Sequence, residues 1–352
     1  MRSSLLLRIM NNQLNIVPQI ETPPLFDLES LADNHEASLS TLSGMKVFFR
    51  SDFAKEAIPL QNLESPSGES PYQIRSFSSE SREKQIIAID SSCVLIGETE
   101  QGAIFAGRVA VVSAKGSKIA RYYRAGPFIF YMTMKYLSEQ LRGVLPQRAV
   151  RAISSDNGLA ERFIRIKLER SAQILSAKIN SGSILLVDGS LKSSSLETKG
   201  QGLRELESAA EENENQIVGI GKSSVLRIVS SAANLLQNVG SSETFFDITD
   251  TVRLFFPTTE ARILVAKFSP NSSVFRIDSS RRNSEEDPDL LADLKRNDLF
   301  FRGYPETLRL AHHLSVFDSS TVSSVRSYLS RKYGLIHIPS DDLRATILGK
   351  LV

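Results

Sequence analysis

The stretch Ile86-Ile-Ala-Ile-Asp-Ser-Ser92 decides the fold, and Leu185-Leu-Val-Asp-Gly-Ser190 repeats its pattern further along the chain. In each, a short run of aliphatic residues stops at an aspartate that is followed by small polar residues. This pattern is typical of a buried strand that reaches the edge of a sheet. If the two strands share a sheet and end at one edge, Asp90 and Asp188 lie close together. The sequence therefore predicts an acidic pair at a sheet edge.

Strand and helix signals surround these two runs. Residues 103–112 and 118–123 predict two further strands of a meander that turns at Gly116. Helical periodicity predicts one helix over 128–141 and another that is capped by Asp156 or Asn157 and runs to Ile179. The other predicted elements are a helix from Gly202, a strand within 216–224 that runs into a turn and helix, a hairpin of strands 262–268 and 273–278, and helices over 281–298, 305–314, 321–332 and 341–351. The pattern indicates an α/β fold that begins with antiparallel strands.

Residues 1–83 form a variable, mostly helical extension in this interpretation, and residues 84–352 form the main domain. The extension ends in two serine-rich stretches, 65–71 and 76–81, whose small polar residues cannot bury a core and predict a linker or exposed loop. It could serve partner binding or dimerisation. Arg8 interrupts the first apolar run, which argues against a signal peptide.

Composition excludes several classes of protein. The chain has 352 residues, of which 41% are hydrophobic and 23% charged, as in ordinary globular proteins. The formal net charge of +2 does not indicate a nucleic-acid binder, so any basic surface must be local. The single cysteine, Cys93, excludes an intrachain disulfide and is interpreted as a packing residue. No apolar run is long enough for a membrane span, and we expect a soluble, cytoplasmic protein.

A third carboxylate, Glu169, lies beside the apolar stripe of the predicted helix that ends at Ile179. This helix can pack on the sheet and direct Glu169 toward Asp90 and Asp188. Converging carboxylates repel one another unless a cation joins them, and Mg²⁺ and Mn²⁺ prefer such oxygen ligands. For a single aspartate, the ordinary explanation is a turn held by Asx hydrogen bonds. The paired pattern favours a metal site.

Lys222 and the histidines are weaker candidates. Gly219-Ile-Gly-Lys222-Ser-Ser is not a phosphate-binding loop of the Walker type, because the first glycine of that motif would fall on Gln216. Lys222 could still neutralise a substrate phosphate, or it could be a solvated lysine at the start of a helix. His312 and His313 would ligate a metal or move a proton only if their helix docks beside the carboxylates.

Clusters of basic residues predict a surface for phosphates, although any one arginine is better explained by a solvated charged face that pairs with nearby glutamates. Tyr122, Tyr123 and Tyr304 could stack on unpaired bases. The clusters comprise Arg121, Arg124, Arg148 and Arg151; Arg162, Arg165, Lys167 and Arg170; and Arg281, Arg282, Lys295, Arg296 and Arg302.

Six segments in this order make the chain resemble the archaeal and bacterial NurA nuclease family. They are Ile86–Ser92, the helix around Leu168-Glu169, Leu185–Leu191, Ile217–Ser224, Phe275–Asp278 and Gly303-Tyr-Pro-Glu-Thr-Leu-Arg-Leu-Ala-His-His313. The resemblance covers about residues 85–315. It implies a mixed, RNase H-like β-sheet flanked by helices, with an acidic cluster at its edge.

The resemblance also implies a function and a set of site residues. The function is a Mn²⁺-dependent 5′-to-3′ DNA exonuclease with single-strand endonuclease activity, working as a homodimer with a hexameric HerA translocase in end resection during double-strand break repair. Carried over position by position, the metal ligands are Asp90, Glu169, Asp188 and His312, with Lys222 as a further catalytic residue. Asp278 stands where the family often has glutamate, so we assign it only provisionally to the metal.

Two-metal hydrolysis of a phosphodiester fits these residues. It requires one carboxylate to bridge the ions, for which Asp90 is the candidate, and Mg²⁺ would serve as well as Mn²⁺. Two other functions stay open from the sequence. One is a catalytically silent adaptor of a DNA translocase; the other is a different RNase H-like nuclease that acts on branched or RNA-paired substrates.

Overall fold

The computed structural model describes residues 39–44, 46–47, 72–77, 81–194, 196–197, 201–222, 227–238, 243–280 and 284–337. The helix predicted over 341–351 and most of the extension over 1–83 lie outside the described residues. No helix in the described ranges combines the length and apolar character needed to cross a bilayer.

The strands are β1 (Lys46–Val47), β2 (Arg75–Ser76), β3 (Gln85–Thr99), β4 (Gly102–Lys115), β5 (Lys118–Thr133), β6 (Ile184–Asp188), β7 (Gln216–Gly221), β8 (Thr244–Asp247), β9 (Arg262–Lys267), β10 (Val274–Ser279), β11 (Phe300–Phe301), β12 (Tyr304–Pro305) and β13 (Ile336–His337). The helices are α1 (Met134–Gln140), α2 (Gln147–Ser155), α3 (Asn157–Ile179), α4 (Gln201–Glu212), α5 (Arg227–Asn238), α6 (Thr249–Phe255), α7 (Asp287–Asn297), α8 (Glu306–Ser315) and α9 (Ser319–Tyr333). Short 3-10 helices cover Ser40–Leu42 and Ser284–Glu286.

A central sheet of nine strands, counted over the described residues, has the order β2-β8-β9-β10-β7-β6-β3-β4-β5. The meander β3-β4-β5 is antiparallel, and β3, β6 and β7 run parallel to one another. This order and these directions define an RNase H-like sheet, which confirms the predicted mixed α/β fold. Antiparallel β10, β9 and β8 extend it, and β2, from the segment assigned to the extension, forms its edge.

The two faces of the sheet are buried separately. Alternate residues of a strand point to opposite faces, so Ile87 and Ile89 pack in one core cluster with α3, whereas Ile86 and Ala88 pack in another with α7 and α8. Asp90 is the next alternate residue after Ile86 and Ala88, so its side chain points to the same face. β3 and β6 pair with Ile89 opposite Val187, so the next residues, Asp90 and Asp188, are level and share the α8 face.

Two sequence predictions were wrong about where strands end. β3 does not stop at Asp90 but continues to Thr99, because β4 pairs with it along this whole length. The helix predicted over 128–141 is strand up to Thr133 and helical only over Met134–Gln140. Phe128, Phe130 and Met132 alternate into the core, the period of a strand, because β4 offers pairing partners as far as Gly102.

The long helix α3 confirms its prediction and brings Glu169 to the sheet. Asp156 caps its first turn, because Oδ1 accepts a hydrogen bond from the Leu159 amide at 3.0 Å. α3 lies so close to β4 that a Cβ at Gly107 would stand 2.4 Å from Leu168 Cδ1. Glycine at position 107 leaves room for the Leu168 side chain, and the next residue along the helix is Glu169.

Candidate metal centre

Asp90 and Asp188 meet His312 at the end of the parallel strands. Each offers one potential ligand atom, and these atoms all lie within 4.8 Å of one another. Asp90 comes from the middle of β3, Asp188 from the end of β6, and His312 from α8, which packs on that face of the sheet. The docking of the histidine helix, which the sequence left open, is therefore observed.

Asp90 is buried and held by α8. Its Oδ2 accepts hydrogen bonds from His312 Nδ1 at 2.9 Å and from Ser315 Oγ at 3.2 Å. The first of these bonds is the main reason that the pKa of His312 is raised, and it outweighs the opposite effect of partial burial. The contact with Asp90 thus favours the protonated form of His312.

Asp188 is held by a cation and a phenol. Lys222 Nζ lies 2.8 Å from its Oδ2, and the Tyr304 hydroxyl donates to its Oδ1 at 3.0 Å. Lys222 Nζ also lies 4.9 Å from the centre of the Tyr304 ring. Burial and the negative charge of Asp188 raise the pKa of Tyr304, so this phenol remains a hydrogen-bond donor at neutral pH.

Glu169 lies on the other side of β3, on the face covered by α3. Its carboxylate accepts hydrogen bonds from Ser91 Oγ at 3.1 Å and from Gln173 Nε2 at 3.0 Å. Withdrawal from water and, secondly, the nearby charge of Asp90 raise the pKa of Glu169 to about 7. Glu169 is thus an electrostatic neighbour of Asp90, although it does not belong to the group of three.

Asp278 does not join the group, contrary to its provisional assignment. It pairs with Gly219, which in turn pairs with Val187, so it occupies the register position before Asp188, on the opposite face. Both of its oxygens are engaged, by Arg276 at 2.6 and 2.8 Å and by the Leu191 amide at 3.0 Å. Asp278 therefore stabilises the turn after β6.

The structure adds Tyr304 and Ser315 to the residues found from the sequence. The sequence suggests base stacking for Tyr304, but the residue is buried against Phe275 and directs its hydroxyl to Asp188. The sequence signal that could have identified Tyr304 is the Gly-Tyr-Pro turn before the histidine helix. Ser315 follows His312 by three residues on α8, so both face Asp90. Cys93 is buried in the core, as predicted.

Two carboxylates and an imidazole form a donor set that suits Mn²⁺ and also accepts Mg²⁺. The ligand atoms already converge, and a divalent cation can replace Lys222 as the partner of Asp188 and compete with the proton that Asp90 favours on His312. The residues therefore fit a divalent metal ion.

An RNase H-like sheet with acidic and imidazole ligands over its parallel strands defines the class of metal-dependent nucleases. Within that class, the chain belongs to the NurA family: the model of the NurA domain matches residues 84–317. This confirms the resemblance seen in the sequence.

Several solved structures are similar to the chain. The NurA nuclease from Sulfolobus solfataricus is 14% identical, with 75% of this chain and 87% of that chain covered and a TM-score of 0.48. A NurA structure bound to dAMP and manganese is 10% identical, with 84% and 92% covered and a TM-score of 0.37. The catalytic domain of human Endonuclease V is 16% identical, with 89% and 100% covered and a TM-score of 0.32. No curated protein matches the sequence.

Proposed function

We propose that the chain is a metal-dependent DNA nuclease that holds its ions with Asp90, Asp188, His312 and Glu169. The observation that carries the proposal is the convergence of Asp90, Asp188 and His312 within 4.8 Å. Lys222 and His312 are the partners of the two carboxylates in the metal-free protein, and a divalent cation can take their place. Membership of the NurA family supports the same activity.

The side chains have distinct tasks in this proposal. Bound divalent ions would supply an activated water and stabilise the leaving oxygen of a phosphodiester. Asp90 would be the ligand shared between the ions, because it contacts His312 directly and its charge also acts on Glu169. Tyr304 and Ser315 fix the orientation of the two aspartates through their hydrogen bonds. Lys222 is placed to move from Asp188 to a phosphate oxygen when metal binds.

Family membership also supports a finer proposal about substrate and partners. The enzyme would degrade DNA ends 5′ to 3′, cut single strands internally, and act as a cytoplasmic homodimer with a hexameric HerA-type translocase during end resection. Manganese would be its metal, with magnesium as the alternative. Residues 1–83 would contribute to the partner or dimer surface.

The test is cleavage of end-labelled single- and double-stranded DNA while Mn²⁺ is titrated. We expect the wild-type protein to cleave and Asp188→Asn to be inactive although it is folded. Asp250→Asn is the matched control, because Asp250 is a fully exposed aspartate on α6. Undiminished cleavage by Asp188→Asn would contradict the proposal. A folded wild-type protein that binds Mn²⁺ in calorimetry but cleaves no DNA would favour an adaptor.

The finer proposal has separate measurements. Labels at the 5′ or 3′ end distinguish the polarity of digestion, and light scattering gives the mass of the protein with and without a HerA-type hexamer. Digestion from 3′ ends, or a monomer that does not bind the hexamer, would contradict these parts and leave the nuclease itself intact.

A further inference from the structure

A tight hairpin next to the metal centre presents an exposed aromatic ring. β11 and β12 are joined by Arg302-Gly303, and Phe301 pairs with Tyr304 across the hairpin. Tyr304 is buried and bonded to Asp188, whereas 54% of Phe301 is exposed. The exposed ring of Phe301 therefore lies beside Tyr304, whose hydroxyl bonds to Asp188 in the metal centre.

The packing of the hairpin does not require Phe301 to be aromatic. Phe300 supplies the core contact, stacking on Phe268 with ring centroids 4.5 Å apart. Tyr304 supplies another, against Phe275. Phe301 contacts instead two guanidinium groups, with the Cζ of Arg302 at 5.6 Å and that of Arg309 at 5.1 Å from its ring centroid. Its surroundings are cationic and open to solvent.

The backbone conformation of the turn is unusual for an arginine at position 302. Arg302 has φ +53° and Gly303 has φ +86°, so both adopt the left-handed conformation of a turn that favours Asn-Gly. Gly303 is required, since a Cβ there would lie 2.7 Å from the Cβ of Ser272. Neither the backbone conformation nor steric room requires an arginine at position 302. Within the described parts of the chain no carboxylate forms an ion pair with it, and its side chain is exposed.

The second guanidinium joins this tip to the metal centre. Arg309 is fixed by a two-pronged ion pair with Glu306, at 2.5 and 2.7 Å. It precedes His312 by three residues on α8, so the two side chains are neighbours on one helix face. Phe301, Arg309 and His312 therefore follow one another along the surface that leads to Asp90.

We propose that Phe301 and Arg302 form a nucleotide subsite beside the metal centre, which we call the hairpin subsite. The ring of Phe301 stacks on an unpaired base of the bound strand, and the guanidinium of Arg302 contacts a neighbouring phosphate. Stacking on an aromatic ring accepts any base but requires that the base be unpaired. The inference rests on the proposed function and assigns the site a preference for single-stranded or frayed DNA.

The experiment measures DNA binding without cleavage. Fluorescence anisotropy in EDTA at low salt compares a labelled oligothymidine with an abasic oligomer of equal length. We expect Phe301→Ala to weaken binding of the oligothymidine about fivefold or more and to leave binding of the abasic oligomer unchanged, because only the former can stack. Phe301→Trp should restore binding. Tyr328→Ala is the matched control, an aromatic residue on α9 with similar exposure and its own lysine contact.

A second variant tests the phosphate contact. Arg302→Asn keeps a residue that tolerates the left-handed conformation but removes the charge. It should lower the slope of log affinity against log salt by about one. The proposal of the hairpin subsite is wrong if Phe301→Ala binds both oligomers as the wild-type protein does. It is also wrong if the wild-type protein binds the two oligomers equally well. The nuclease proposal is judged separately, by Mn²⁺-dependent cleavage in the wild-type protein.

Discussion

His312 Nδ1 lies 2.9 Å from Asp90 Oδ2, although 222 positions of sequence separate the two residues. The bond connects the first long strand of the sheet to α8 and sets the proton balance of the metal centre. Since it raises the pKa of His312, protons and metal ions compete for the same pair.

The first prediction concerns pH and stability. A histidine with a raised folded-state pKa stabilises the fold fully below its unfolded pKa, about 6.5, and this contribution is lost as pH rises through the folded pKa. In EDTA, the free energy of unfolding of the wild-type protein should therefore fall relative to that of His312→Gln as pH rises from about 6 to 8. Urea titrations of both proteins measure this difference. A difference independent of pH would contradict the prediction.

The second prediction is that manganese binds more tightly as pH rises. Metal must displace the proton of His312, and Glu169, with a pKa of about 7, must also ionise before it can serve as a ligand. Calorimetric titration between pH 6 and 8 should show affinity increasing with pH in the wild-type protein. Glu169→Gln should show a shallower increase. An equal slope in both proteins would exclude Glu169 from metal binding.

The third prediction separates the two donors on Asp188. Tyr304→Phe removes a hydrogen bond to a carboxylate, worth about 1.5–3 kcal/mol, and should lower kcat about 10- to 100-fold with the fold retained. Lys222→Met should lower kcat as well, but should tighten Mn²⁺ binding because the competing cation is gone. Single-turnover cleavage and calorimetry measure both effects. Tyr328→Phe is the control, and weaker metal binding by Lys222→Met would refute the assigned role.

The fourth prediction concerns a buried ion network far along the sheet from the metal centre. Arg262, on β9, bonds to the fully buried Asp287 through Nε and a terminal nitrogen, and also to Asp247. Asp287→Ala should cost about 3–5 kcal/mol of unfolding free energy, because it leaves a buried guanidinium partly uncompensated. Urea denaturation measures this. Asp250→Ala, on the surface, should change stability by less than about 0.5 kcal/mol.

Local patterns sufficed for much of the fold. The two aliphatic runs that end in aspartate, the capped helix α3 and the hairpin β9–β10 could all be read from neighbouring residues. The error at 128–133 has a physical cause: pairing with β4 overrode helical periodicity in a segment that is continuously apolar from Phe128 to Met132. A sequence pattern of this length does not show which strand the segment will pair with.

The metal centre was only partly predictable for a related reason. Asp90 and Asp188 were found together because both follow the same kind of strand, whereas Asp278 was assigned only through the family resemblance and faces the other side. Its orientation depends on the register of β10 against β7, which no local pattern fixes. Likewise, Tyr304 and Ser315 acquire their roles only when α8 docks on the sheet.

The wide separation of the two halves of the metal centre has a consequence during translation. Asp90 is synthesised more than 200 residues before Tyr304 and His312. Until α8 emerges and docks, a nascent chain lacks the imidazole and the phenol that complete the centre. Chains that end before residue 304 thus lack two of the side chains that the proposed metal centre uses, and we expect them not to cleave DNA.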